Sequence, residues 1–104
     1  MPMGRDTREA TSLDMRMFGT DDGKLLAEAM FAHFPPNPDP ATIDALMGQT
    51  SEEIRAAVIR FRNAGLSEPL IETYVRACNT AIMAECKRYD REAARRKDRD
   101  LADD

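Results

Sequence analysis

A chain of 104 residues is long enough for one domain with one modest core. Hydrophobic residues at 42% against charged residues at 33% suit a globular helical protein rather than a disordered one, and no apolar run approaches the ~18 residues of a membrane span. The net charge of −4 counts against a dedicated nucleic-acid coat protein and leaves room for a local basic surface.

Met1 to Thr11 reads as a flexible arm. It carries Arg5, Asp6, Arg8 and Glu9 and lacks the apolar centre of a signal peptide. In Ser12 to Gly19, Leu13, Met15 and Met17 alternate with Asp14 and Arg16, the period of a half-buried strand, so a short strand or an extended arm is expected. Gly19 to Gly23 then reads as a turn. The first helix is predicted from about Asp22 to Phe34, capped by Asp21 or Asp22, with Leu25, Leu26, Ala29 and Met30 on its apolar face. Pro35 to Pro38 ends it.

A second helix starts at Asp39-Pro40 and is expected to stop at Gly48. A third opens at Thr50, whose spacing to Glu53 is that of a capping box. Ile54, Ala57, Val58 and Phe61 form its buried stripe, and Asn63 to Gly65 closes it. Ser67 caps a fourth helix with the stripe Leu70, Ile71, Tyr74, Val75, Cys78, Ala81, Ile82 and Cys86, and Tyr89 as a last outlier. This helix is predicted to reach about Lys97, roughly 45 Å at 1.5 Å per residue. The expected architecture is all-α: a four-helix domain over 12–97, an arm over 1–11 and an acidic disordered tail over 98–104.

Chemistry-bearing residues are few. Cys78 and Cys86 lie eight apart on one helix, roughly 12 Å, beyond the reach of a disulfide. They read as reduced thiols, which points to the cytoplasm. The single histidine, His33, has no partners for a zinc site and reads as structural or as a cation at a helix C-terminus. Gly19 and Gly23 lack the sequel of a phosphate loop. No cofactor, metal or enzymatic role is expected.

The segment Thr42 to Leu66 resembles the helix-turn-helix of winged-helix-type transcription regulators. Gly48 matches the turn glycine and Thr50-Ser51 the helix start. Ile43, Leu46, Ile54, Val58 and Phe61 match the buried positions, and Ala64-Gly65-Leu66 the ending. The resemblance covers about 25 residues, counted from the sequence, and implies that Arg55, Arg60 and Arg62 contact DNA. Lys87 to Arg99 holds seven basic and three acidic residues, so Lys87, Arg88, Arg91 and Arg95 are further candidates for phosphate contacts. The same run also reads as a solvated helix face held by pairs such as Glu92 with Arg96.

The leading expectation is therefore a small DNA-binding or transcription-regulatory protein without membrane contact. It is expected to form a homodimer through Ile71, Tyr74, Val75, Cys78 and Ile82 of the fourth helix. The alternative is a non-enzymatic helical module that binds and modulates a partner protein. A third arrangement, a ribbon-helix-helix-like dimer, would pair the Leu13 to Met17 segment across subunits.

Overall fold

The structure is a computed structural model that describes residues 10–35 and 37–102. The described residues form three helices: α1 (Ser12–Ala32), α2 (Pro40–Asn63) and α3 (Glu68–Ala102). The all-α expectation holds, while the four-helix count and the N-terminal strand do not. The particle measures 59 × 25 × 24 Å, its length set by α3.

α1 begins ten residues earlier than expected because Thr11-Ser-Leu-Asp14 is itself a capping box. The Asp14 N–H donates to Thr11 Oγ1 at 3.2 Å, and the Thr11 N–H donates to Asp14 Oδ2 at 3.0 Å. The alternation of Leu13, Met15 and Met17 is helical in fact: Met15 is wholly buried, while Leu13 and Met17 are exposed. Gly19 and Gly23 make no turn. They lie mid-helix and, with Ala27, form a strip of small residues at four-residue spacing.

That strip positions the whole fold. An ideal Cβ on Gly19 would meet the carbonyl oxygen of Tyr74 and lie 2.7 Å from the Ala77 Cβ; one on Gly23 would lie 2.5 Å from the Cys78 oxygen. The backbones of α1 and α3 therefore approach more closely than side chains of any size permit. Contacts advance together along both helices, from Gly19 near Ala77 to Phe31 against Tyr89, so α1 and α3 run parallel. α2 runs antiparallel to them, with Phe61 near its end packed edge-on to Tyr74 at 4.8 Å. The core of Met15, Ala57, Phe61, Leu66, Ile71, Tyr74 and Cys78 sits at this end of the bundle. There the Tyr74 hydroxyl donates to Asp22 Oδ2 at 2.6 Å. Burial and this bond push the Tyr74 pKa far above its ordinary value.

α2 passes through Gly48 without a break, so the expected second and third helices are one. Ile43, Leu46, Thr50, Ile54, Ala57 and Phe61 keep a single three-to-four-residue spacing across the glycine, and one continuous helix keeps that stripe on one face. Thr50 is not a cap; its hydroxyl donates to the Leu46 carbonyl at 3.1 Å, a helix-interior bond. The true cap is Asp39, which accepts from the Thr42 N–H at 2.7 Å. The real stop is Gly65, at φ 92°. The Leu66 N–H donates to the Phe61 carbonyl and the Gly65 N–H to that of Arg62, both at 3.1 Å, a Schellman motif.

Open space surrounds Gly48. Gly48→Ala is therefore expected to stabilise the chain by about 0.5–1 kcal/mol, because alanine is the better helix former and has nothing to strike. A lower melting temperature in this variant would argue for a turn at residue 48.

Candidate functional site

The surface with the most unusual chemistry lies at the end of the bundle away from the main core. α1 finishes at Ala32, and His33, its C-cap, is exposed. The chain then turns through Phe34 to Asp39 and enters α2. Phe31 and Phe34 are thereby presented to α3 at Tyr89. Phe31 stacks on Tyr89 with centroids 4.4 Å apart and planes 6° from parallel. Phe34 meets both rings edge-on, at 5.2 Å and 5.6 Å. Such pairs contribute about 0.5–1.5 kcal/mol each beyond burial, so the cluster fixes where α3 leaves the bundle.

Past Tyr89, α3 continues to Ala102, about 20 Å of helix. From Asp90 to Arg99 every side chain is exposed except the half-buried Ala93. A cleft of about 780 Å³ lies where this extension meets the cluster. It is lined by the three rings, by Pro35 and Asn37 from the loop, and by Ala93, Arg96 and Lys97 from α3. It is an open surface cleft whose walls combine aromatic rings with two cations. A second groove of about 360 Å³, between α2 and α3 around Met47 and Met83, has no charged residue in its lining.

The cleft brings Arg96 and Lys97 beside aromatic rings and the Ala93 methyl group. Two cations beside aromatic and methyl surface suit a negatively charged segment that also carries an apolar side chain. Cys86, one turn before Tyr89, is half-buried. Burial, with Asp90 and Glu85 nearby, pushes its thiol pKa up and away from nucleophilic character. Among the described residues no group of three or more His, Cys, Asp or Glu side chains is placed to hold a metal ion. None of the helices they form is long and apolar enough to cross a membrane.

The residues singled out in the sequence are dispersed. Arg55 is exposed on α2, 3.4 Å from Glu52. Arg60 is exposed in the last turn of α2. Arg62 grips both carboxylate oxygens of Glu68, at 2.7 and 3.2 Å, clamping the α2–α3 junction. The pair raises the Arg62 pKa and lowers that of Glu68, but at this exposure it adds little stability. Lys87, Arg88, Arg91 and Arg95 are exposed on α3, with Arg88 held at 2.5 Å by Glu85.

Of the expected dimer face, Ile71, Tyr74 and Cys78 are at most 3% exposed within one chain, and Val75 and Ile82 are half-buried. Within one chain α1 and α2 cover Ile71, Tyr74 and Cys78, and leave parts of Val75 and Ile82 accessible. The sequence reading missed Phe31, Phe34, Arg96 and Lys97 as parts of one site. Its available signal was Tyr89, seven residues after Ile82 and so on the same stripe, but isolated in charged sequence. Comparison with family models, curated proteins and solved structures finds no match to the chain.

Proposed function

We propose that the protein is a non-enzymatic helical interaction module of the cytoplasm that holds an acidic partner segment on the end of α3 and in the adjoining cleft. The supporting observation is the combination found there: three clustered rings, Arg96 and Lys97 at one cleft, and a helix extension whose side chains are almost all in solvent. The seven basic residues of Lys87 to Arg99 stand out on a chain of net charge −4, so acidic groups are drawn to this end of the molecule. The cytoplasmic part of the proposal draws on the two cysteines, neither in a disulfide.

DNA binding is the second reading, supported by the exposed Lys87, Arg91 and Arg95 along one helix. The pairing of Arg55 with Glu52 and of Arg62 with Glu68, and the straight course of α2, weigh against base reading from the Arg55 face. One titration separates the two. A labelled acidic peptide carrying one aromatic side chain is expected to bind, and Arg96→Glu/Lys97→Glu to weaken it at least tenfold. Binding of duplex DNA with a steep salt slope, weakened by Lys87→Ala/Arg91→Ala, with no binding of the acidic peptide, would replace this reading by DNA recognition. No binding of either probe would remove both.

A further inference from the structure

The close seam between α1 and α3 also shapes the surface beside it. Gly19 lets the two backbones touch at Tyr74 and Ala77, so side chains on one flank of the seam come level with one another. On α1 these are Arg16 and Thr20, one turn apart. On α3 they are Thr73, Arg76 and Thr80, at three- and four-residue spacing. Because α1 and α3 run parallel, both sets line one groove of about 300 Å³, together with the buried Ala77. Two arginines from different helices thus share a space whose other side chains are three threonines and one methyl group.

We propose that this groove binds the phosphoryl group of a small, hydroxylated phosphate monoester. A guanidinium presents its N–H donors in a planar fork that matches phosphate oxygens, and it stays charged wherever the phosphate is a dianion. Among the described residues, the Arg16 guanidinium and the Thr20 hydroxyl have no partner, so both are open to a ligand. Arg76 is held by Glu72 at 2.7 Å, but both side chains lie largely in solvent, and such a pair is weak enough for a dianion to compete with. The Thr73 hydroxyl donates to the Pro69 carbonyl at 2.9 Å and the Thr80 hydroxyl to the Arg76 carbonyl at 3.0 Å. Their protons are spent within α3, and what they offer outward is oxygen lone pairs. The groove therefore gives donors to a phosphate and acceptors to the hydroxyl groups of whatever carries it. Among the described residues no aromatic ring lines it, so a sugar carrier suits it better than a nucleobase.

The groove is separate from the cleft at Tyr89. Arg76 and Arg96 are twenty positions apart on one helix, about 30 Å, and neither reading depends on the other.

Amide NMR shifts of the isotopically labelled full chain, titrated at low ionic strength with ribose phosphate, inorganic phosphate and free ribose, test this. Ribose phosphate is expected to shift the amides around Thr20 and from Thr73 to Thr80 saturably. Inorganic phosphate is expected to shift the same amides with lower affinity, and free ribose none. Arg16→Ala and Arg76→Ala are each expected to weaken binding about tenfold, the weight of one charge-assisted hydrogen bond. Glu72→Gln is expected to tighten it about twofold by releasing Arg76. All three side chains are exposed, and far-UV circular dichroism checks that each variant keeps its helices. Absence of saturable binding at about 10 mM ribose phosphate, well above the millimolar range of a weak specific site, overturns the proposal. So does binding that both arginine variants leave unchanged. Shifts confined to Tyr89 to Lys97 and lost in Arg96→Glu/Lys97→Glu would place the anion in the other cleft and equally overturn it. Inorganic phosphate binding as tightly as ribose phosphate overturns the assignment of the carrier.

Discussion

Gly19→Val and Gly23→Val are each expected to destabilise the protein by about 3 kcal/mol, the upper end of the overpacking range, and together to prevent folding. The obstructing atoms decide the size of the effect. At Gly19 a side chain runs into the Tyr74 carbonyl oxygen, and at Gly23 into the backbone oxygen and Cα of Cys78. Main-chain atoms of a packed helix cannot swing aside as the tip of a lysine does, so α1 and α3 must separate. Separation would uncover Met15, Ala27 and Cys78, all fully buried, and draw the Tyr74 hydroxyl off Asp22. Valine's gain of about 0.5 kcal/mol over glycine in intrinsic helix preference is too small to compensate. Thermal melts followed by circular dichroism report the outcome. Melting temperatures equal to that of the parent would mean that the two helices are not in backbone contact.

Phe61→Ala is expected to cost about 3–5 kcal/mol, within the range for a buried aromatic side chain. Phe61 is 7% exposed and is the largest side chain that α2 contributes to the core. Its ring packs edge-on against Tyr74, and its carbonyl accepts the Leu66 N–H that completes the turn into α3. The truncation leaves a cavity that the glycine-tight α1–α3 pair cannot collapse to fill. α2 has only Thr50 and Ala57 as further buried residues, so the variant is expected to lose α2 docking first. Denaturant unfolding gives the free-energy change directly, and a loss below about 1 kcal/mol would place Phe61 outside the core.

Much of the fold was legible in residue spacing. The stripes of Ile54, Ala57 and Phe61 and of Ile71, Tyr74 and Cys78 face inward as their period implies, and Gly65 ends α2 as a glycine C-cap should. The strand expected over Leu13 to Met17 came from a short alternation that α1 also accommodates, and the errors in dividing the chain into helices share another cause. Glycine was read as punctuation at positions 19, 23 and 48, whereas two of these glycines permit close helix contact and the third is merely tolerated. Local sequence does not separate these roles. What does is the phase of the apolar residues on both sides, which runs unbroken through Gly48, and the four-residue repeat of Gly19, Gly23 and Ala27. The candidate site was harder to read because its parts lie far apart in sequence. Phe31 and Phe34 precede Tyr89 by more than fifty positions, and only the parallel course of α1 and α3 joins them. Arg96 and Lys97 were indistinguishable from neighbouring basic residues until the loop at Pro35 and Asn37 gave them a common cavity.

The tightest seam in the molecule joins the two helices that are farthest apart along the chain, and this bears on how folding proceeds. The bond from Tyr74 to Asp22 closes a separation of 52 residues. Closing such a loop costs roughly 1.5 kcal/mol more in chain entropy than closing one of about ten residues. Neither helical hairpin, α1 with α2 or α2 with α3, contains the seam, so early local pairing cannot form it. The seam is therefore expected to close only when the first and last helices meet, whether or not α2 has already paired with one of them. The folding rate should accordingly fall below that of helical bundles whose best-packed neighbours are consecutive in sequence.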